Sequence, residues 1–381
     1  MVGLQLGQSL LHRDGQKVYF IAEIGQNHQG NLDVAKRMIQ EAWKAGCDCV
    51  KFQKSCLNEK FTKSALQRKY DGANSWGKTY GEHKAYLEFS IHQYRELQQF
   101  SQTLGIEFTA SAMDEVSLSE VDSLDVPFIK IGSGDANNFP LLEKAATLKT
   151  SLVISIGMQT LNTVERIVHI MEKAKKTNFA LMHCVSSYPT EPQNCELLRI
   201  RWLKEKYPNL VIGYSGHEIG IEISKAAVLL GARIIERHFT LDKNQKGSDH
   251  KCSLEPWEMK NLISAIRDMH PIMDSTICLK ISDIISLLHE SPDVKNALKS
   301  CANEKTIMPC EINCRNKLGK SLVAVKNLNI GHIISSPDLC VKVSEPNGIS
   351  AEYIEDVIGL QLSENVIVDD PLLWHCINKS Q

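Results

Sequence analysis

Eight short apolar runs recur between Val18 and Thr240: VYFIAEIG, CDCVKFQ, IEFTAS, VPFIKIG, SLVISIG, FALMHC, LVIGYS and ARIIERHFT. Each is followed by a stretch in which apolar residues return at helical spacing. In LDVAKRMIQEAWKAG, for example, Val34, Met38, Ile39 and Ala42 share one face, and Gly46 suits the helix C-terminus. The runs are almost continuously hydrophobic, as parallel strands covered on both faces must be. Eight such βα units over roughly 250 residues predict an α/β fold, a TIM (β/α)8 barrel. A doubly wound sheet is the alternative, but it imposes no count of eight.

The remainder of the chain is organised around that barrel. After Gln53 a long polar segment runs through Leu57, Trp76 and Gly81 before the next helix, YRELQQFSQTLG. A loop of that length in a compact barrel is usually functional. Residues 1–268 form the expected barrel domain. Residues 269–303, with one helical stretch (ISDIISLLHESPDVKNALKSC), read as a linker. Residues 304–381, with short runs such as KSLVAVKNL and LCVKVSE, read as a small β-rich domain with short helices.

Composition excludes several partners. A net charge of −2 gives no electrostatic footing for nucleic acid or an anionic membrane. No apolar run approaches the ~20 residues that span a bilayer, and the N-terminus lacks a basic region followed by an apolar core. Twelve cysteines without a CxxC pair, several inside apolar runs (Cys47, Cys49, Cys184), read as reduced thiols in a cytoplasmic protein.

In such a barrel the site lies at the C-terminal ends of the strands. Those tips carry Glu23, Lys51 with Gln53, Ser111, Lys130 with Ser133 and Asp135, Ser155, His183 with Tyr188, Ser215 with His217, and His238. Lysines inside apolar strands are costly unless an anion meets them, so Lys51 and Lys130 point to a buried phosphate or carboxylate. Ser133, Ser155 and Ser215 would add hydroxyl donors. Glu23, alone in IAEIG, is either shifted in pKa and active in proton transfer or water orientation, or is the ion-pair partner of Lys51. His217 and His238, at the ends of successive strands with Asp249 close by, suit a divalent ion with open positions. GQNHQG matches no dinucleotide or phosphate-loop fingerprint and reads as a tight polar loop.

At these residues the chain resembles the sialic acid synthase family. AEIGQNHQG, VKFQK, IKIGSGD, NNFPLL, SIGMQ, GYSGHE, ERHFTLDK and GSDHKCSLEP are similar to that family's motifs in order and spacing. NKLGKSLVA resembles its antifreeze-like (SAF) domain, and WGKTYGEHK resembles the animal branch. The resemblance implies condensation of phosphoenolpyruvate with N-acetylmannosamine or its 6-phosphate, giving N-acetylneuraminate or its 9-phosphate and releasing phosphate. It implies a divalent ion, Mn²⁺ or Mg²⁺, on His217 and His238. The phosphoenolpyruvate site would comprise Lys51, Lys130, Ser133, Ser155, Ser215 and Asp249, with Ser186 and Tyr188 nearby. Glu23 would manage the nucleophilic water, and Gln53, Ser111 and Asp135 would face the sugar.

Asp135 stands where bacterial members usually have Glu, Ser186 where some have Asn, and Lys320 where they have a sugar-contacting Arg. Lys does not reproduce a bidentate Arg. In the resembling family the small domain caps the partner subunit's site in a domain-swapped homodimer, which would bring Lys320 to the sugar of the other chain. In the long loop, Lys78, His83 and Lys84 cluster on the active-site side, where a second phosphate needs cations. Two other readings remain open: a metal-dependent aldolase on the same barrel, and a non-catalytic sugar-phosphate or surface-binding protein.

Overall fold

The structure is a computed structural model and describes residues 3–269, 279–299 and 304–378. The eight apolar runs are the eight strands of a closed parallel barrel. Around it lie β3 (Tyr19–Gly25), β4 (Cys49–Lys54), β5 (Glu107–Ala112), β6 (Ile129–Ile131), β7 (Leu152–Ser155), β8 (Phe179–His183), β9 (Val211–Gly216) and β10 (Ile234–His238), with β10 closing on β3. The helix after β3, Leu32–Ala45, begins where the Asn31 side chain accepts from the Asp33 and Val34 amides. It ends at Gly46, whose φ of 92° is the left-handed conformation that glycine adopts without strain. It buries Ala35, Met38, Ile39, Ala42 and Ala45, while Val34 is only half-buried.

Alternation along the strands separates two cores. Phe20, Ala22, Ile24, Val50 and Phe52 point outward, beneath the helices. Tyr19, Ile21, Cys49, Phe128, Val153, Ala180, Met182, Val211 and Ile234 form a second cluster inside the barrel at its N-terminal end. An antiparallel hairpin that the sequence left unassigned, β1 (Gly3–Leu6) and β2 (Ser9–His12), plugs that end with Leu4, Leu6 and Leu11. Further along each strand the inward series turns polar: Glu23 follows Ile21, Lys51 follows Cys49, Lys130 follows Phe128, and Glu236 follows Ile234. The barrel is therefore dry at one end and charged at the other.

The long polar segment folds into three short helices, Leu57–Lys60, Lys63–Gln67 and Tyr80–Leu87. Phe61, Ala65 and Tyr80 pack with Val343 of the C-terminal region in a small satellite core. Its backbone also pairs there: Thr62 N donates to Val343 O at 3.0 Å, and Val343 N to Lys60 O at 2.8 Å. In the stretch read as a linker, helices Ile281–Leu287 and Pro292–Ala297 bury Ile284, Leu288, Val294, Ala297 and Leu298 against the barrel's outer core. Residues 270–278 and 300–303 of that stretch lie outside the described residues. In the tail, β11 (Ser321–Ala324) pairs antiparallel with β12 (Leu339–Lys342). The rest of its β structure is isolated bridges, including Leu328↔Val366 and Ile333↔Gln361. Leu322, Leu328, Ile349, Leu362 and Leu372 give this region a core of its own.

Candidate active site

Fifteen of the site residues inferred from the sequence line one cavity of about 510 Å³ at the C-terminal mouth of the barrel, within the usual range of ~300–1,000 Å³ for small-molecule sites. The set is Glu23, Lys51, Gln53, Ser111, Lys130, Ser133, Asp135, Ser155, Ser186, Tyr188, Ser215, His217, His238, Asp249 and Lys320. His183 is not among them. Its ring is buried, with Nε2 bonded to Cys195 O at 2.8 Å, and its role is structural. His250, in the same loop as Asp249, is likewise held by Thr240 Oγ1 and Lys246 O.

The floor is a quartet of buried charges. Lys51 Nζ lies 2.5 Å from Glu23 and 3.6 Å from Glu236, and Lys130 Nζ lies 3.3 Å from Glu236. Gln53 Nε2 donates to Glu23 at 2.7 Å, Lys51 to Ser111 Oγ at 3.0 Å, and Ser215 Oγ to Glu236 at 3.1 Å. Two lysines against two carboxylates leave this floor neutral when it holds no ligand, which is how four ionisable groups tolerate burial. Burial pushes the Glu23 carboxyl above its ordinary range against the pull of Lys51, and the charge of Glu236 adds to the rise. Burial acts on Glu236 the same way, but Lys130 and Lys51 outweigh it and hold that carboxyl low. The same burial thus leaves one carboxyl held low by its two lysines and the other raised. The Glu23–Lys51 ion pair is present, as one of the two readings of Glu23 expects.

Glu236 was missing from the sequence reading. Its signal was available: in IIERH, alternation puts Glu236 on the same inward face as His238, and β10 pairs Glu236 with Ser215 of β9.

Above the floor, Ser133 Oγ, Cys184 Sγ and the Gly157 amide form a tight cradle, with Gly157 N donating to Ser133 Oγ at 3.1 Å and to Cys184 Sγ at 3.2 Å. A Cβ on Gly157 would sit 2.5 Å from Ser186 Oγ and 2.8 Å from Ser133 Oγ, so only glycine fits. The Ser155 and Ser186 hydroxyls are buried and have no hydrogen-bond partner among the described residues. Together with the two lysines they give this part of the cavity a set of donors of the kind that suits an anion. A second residue the sequence reading missed, Glu311, ties the tail to this cradle. Its carboxylate accepts from Met158 N at 2.8 Å and Ser186 N at 2.9 Å. Nothing in its local sequence, CEINC, announces that role.

The rings of His217 and His238 lie 5.5 Å apart, with Tyr188 4.2 Å from His217. His217 Nδ1 bonds to Val185 O at 2.8 Å, which orients the ring and leaves Nε2 as its ligand atom. His238 Nδ1 is buried without a hydrogen-bond partner, and Asp249 Oδ2 stands 3.9 Å from it. Burial drives His217 down to about 4, reinforced by His238, and lowers His238 as well. Both imidazoles are neutral near pH 7, the form that binds a metal, so the residues present fit a divalent ion. Among the described residues, the group with three donors close enough to chelate an ion unaided is elsewhere, at Glu364, His375 and Cys376 of the tail.

At the outer wall, Lys320 Nζ reaches Asp135 Oδ1 at 2.6 Å. Beyond it lie residues of the long loop. His83 and Lys84 line the cavity, while Lys78 is exposed and does not.

The comparisons agree with this geometry. The chain is 58% identical to the N-acetylneuraminate-9-phosphate synthase of Drosophila melanogaster, over 94% of this chain and 96% of that protein. It is 47% identical to the Homo sapiens protein of the same name, over 94% and 92%. Among solved structures, the spore coat polysaccharide biosynthesis protein SpsE of Bacillus subtilis superposes over 100% of both chains, with a TM-score of 0.79 and 26% identity. An N-acetylneuraminic acid synthetase of Leptospira borgpetersenii superposes over 78% of this chain and 97% of its own, with a TM-score of 0.64 and 31% identity. The profile of the NeuB family matches residues 38–277 and that of the SAF domain residues 319–378. With the barrel and the tail both matched, the chain belongs to the NeuB family and carries a C-terminal SAF domain.

Proposed function

We propose that this chain condenses phosphoenolpyruvate with N-acetylmannosamine 6-phosphate and water, giving N-acetylneuraminate 9-phosphate and phosphate. The observation that carries this reading is the cavity floor: two buried lysines, serine hydroxyls without a partner among the described residues, and a glycine-only cradle beside a carboxyl raised by burial and two neutral histidines. The relatives named as N-acetylneuraminate-9-phosphate synthases supply the substrate identities.

In this mechanism Lys51, Lys130 and the hydroxyls of Ser133, Ser155, Ser186 and Ser215 hold the phosphate and carboxylate of phosphoenolpyruvate. An anion arriving at Lys51 loosens that lysine's hold on Glu23 and raises the carboxyl further. The C2=C3 π pair of phosphoenolpyruvate forms a C–C bond to the aldehyde carbon of the open-chain sugar, whose C=O π pair moves onto oxygen and takes a proton from solvent, leaving C2 electron-poor. Water then adds at C2, oriented and relieved of its proton by Glu23, and phosphate leaves by C–O cleavage, its charge stabilised by the lysines. Gln53, Ser111, Asp135 and Lys320 position the sugar hydroxyls. A divalent ion, Mn²⁺ or Mg²⁺, held by His217 and His238 would supply Lewis acidity at the sugar's carbonyl oxygen.

To test the reaction, the protein is incubated with phosphoenolpyruvate and mannose derivatives, free and phosphorylated. Equimolar inorganic phosphate and a product of the 9-phosphate's mass are expected. Condensation without phosphate release would instead identify an aldolase.

The free cysteines, Cys47, Cys49 and Cys184 among them, support a reducing, cytoplasmic location, and no described helix is long and apolar enough to cross a membrane. We take residues 1–268 as the barrel, 269–303 as its connector and 304–381 as the cap. We further propose a domain-swapped homodimer. Ile330, Ile333 and Ile367 of the tail and Ile219 and Trp257 of the barrel are exposed apolar side chains that a second copy would cover. In such a dimer the Lys320–Asp135 contact, seen here within one chain, would be made between chains. A Lys320→Ala chain mixed with a Glu23→Gln chain should recover roughly a quarter of wild-type activity, because half the dimers carry one intact site. No recovery after verified subunit exchange would assign each tail to its own barrel.

A further inference from the structure

Charge is balanced on the cavity floor and unbalanced at its rim. At the floor, Glu23 and Glu236 answer Lys51 and Lys130. At the rim, Asp135 pairs with Lys320 and also acts on Lys60, and Asp249 feels the charges of Lys84 and Lys317. Lys60, Lys84 and Lys317 line the same cavity, and none has a carboxylate within ion-pair distance among the described residues.

Lys60 is the most constrained of the three. It closes helix Leu57–Lys60, is 6% exposed, and its Nζ meets only Met113 Sδ, at 2.7 Å, and the ring of Phe61. Burial brings this amine down to about 7, and the charge of Lys320 adds to the fall. A buried ammonium without an anion is among the costliest arrangements a protein holds. Lys84 bonds only a neutral amide, Gln26 Oε1, at 2.7 Å, and lies 5.5 Å from the centre of the Tyr80 ring. Lys317, on helix Ile312–Leu318 of the tail, stands 5.9 Å from the same ring. Tyr80 itself is 1% exposed, and its hydroxyl is buried with no hydrogen-bond partner. Lys84 and Lys317 therefore flank the Tyr80 ring, with Arg68 also 4.0 Å from it, while Lys60 lies against Phe61, whose ring meets Tyr80 edge-on at 5.5 Å.

The strongest fields at Lys60 come from Lys320, Asp135 and Lys84, whereas those at Lys130 come from Glu236 and Lys51. Lys60 and Lys130 thus have different charged neighbours, and Lys84 and Lys317 also act on Asp249 beside His238. We propose that Lys60, Tyr80, Lys84 and Lys317 form a second anion site, which takes the phosphomonoester of the sugar substrate. This rests on the reaction proposed above, in which the floor already accommodates phosphoenolpyruvate and the sugar brings a second phosphate. The assignment also revises the expectation from sequence. Lys78 is exposed away from the cavity. His83, buried against Trp76 and Tyr80 and lowered to about 4 by burial and the neighbouring lysines, is neutral and packs the wall.

The test compares kcat/KM for N-acetylmannosamine 6-phosphate with that for the free sugar in wild type, Lys60→Met, Lys317→Met and Tyr80→Phe, with Lys78→Met as an off-site control. Removing one charged donor should lower the phosphorylated-to-free ratio by about 10–100-fold in the lysine variants, and by less in Tyr80→Phe. Lys78→Met should keep the wild-type ratio. An unaltered ratio in both Lys60→Met and Lys317→Met would overturn the proposal. Lys317 is half-exposed, so its variant reports even if Lys60→Met fails to fold. Calorimetric titration with each sugar separates the two levels of the argument. Failure of wild type to turn over either sugar would remove the reaction. The anion site would still stand if the 6-phosphate bound more tightly than the free sugar and lost that advantage in Lys317→Met, and it would fall if the two bound equally.

Discussion

Glu23→Gln is expected to lower kcat by ~10²–10⁴-fold while phosphoenolpyruvate binds as well as before or more tightly. Glutamine keeps the shape of the side chain but can neither take nor return a proton. The floor should survive the change, because Lys51 retains Glu236 at 3.6 Å and Ser111 at 3.0 Å. Ligand binding should not suffer, since one of two carboxylates competing for the lysines is gone. Steady-state kinetics with a separate measurement of phosphoenolpyruvate affinity distinguishes the roles. A variant that turns over within a few-fold of wild type would leave Glu23 as no more than the counter-ion of Lys51.

His217→Ala and His238→Ala should each remove divalent-ion-dependent turnover while the barrel stays folded. Lewis-acid activation is worth several kcal/mol, so a loss of at least ~10³-fold is expected. The structural cost is small by comparison. His217 gives up one bond to Val185 O, worth about 1 kcal/mol, and His238 Nδ1 has no hydrogen bond to lose. Mn²⁺ titration of each variant, with circular dichroism to confirm the fold, reads this directly. Metal affinity unchanged in both would take the ion away from these histidines. The Glu364–His375–Cys376 group of the tail would then be the next place to look.

Much of this site was legible because a parallel barrel has a strict grammar. A polar residue at the end of a buried strand has few structural uses, so Glu23, Lys51, Lys130, Ser155, Ser215, His217 and His238 stood out from their apolar neighbours. Glu236 escaped for a definite reason: in IIERH it is flanked by Arg237 and followed by His238, and a run of polar residues hides the alternation. Arg237 faces outward and forms a buried ion pair with Glu218 at 3.0 Å, while Glu236 and His238 face inward. His183 erred in the opposite direction. Its place at a strand end looked chemical, yet its ring satisfies a backbone carbonyl.

The linear chain by itself determined the number of strands, the end of the barrel that carries the chemistry, and most of the side chains assembled there. These follow from local hydrophobic pattern and from period-two alternation, which need no knowledge of distant contacts. Only the tertiary structure decided how charges separated in sequence are shared. It sets Glu236 between Lys51 and Lys130, brings Glu311 to the Met158 and Ser186 amides, and brings Lys84 and Lys317 to Tyr80 with no carboxylate at ion-pair distance among the described residues. A side chain's field and solvation depend on which neighbours barrel closure and domain docking bring within a few ångströms, and local sequence does not encode that proximity.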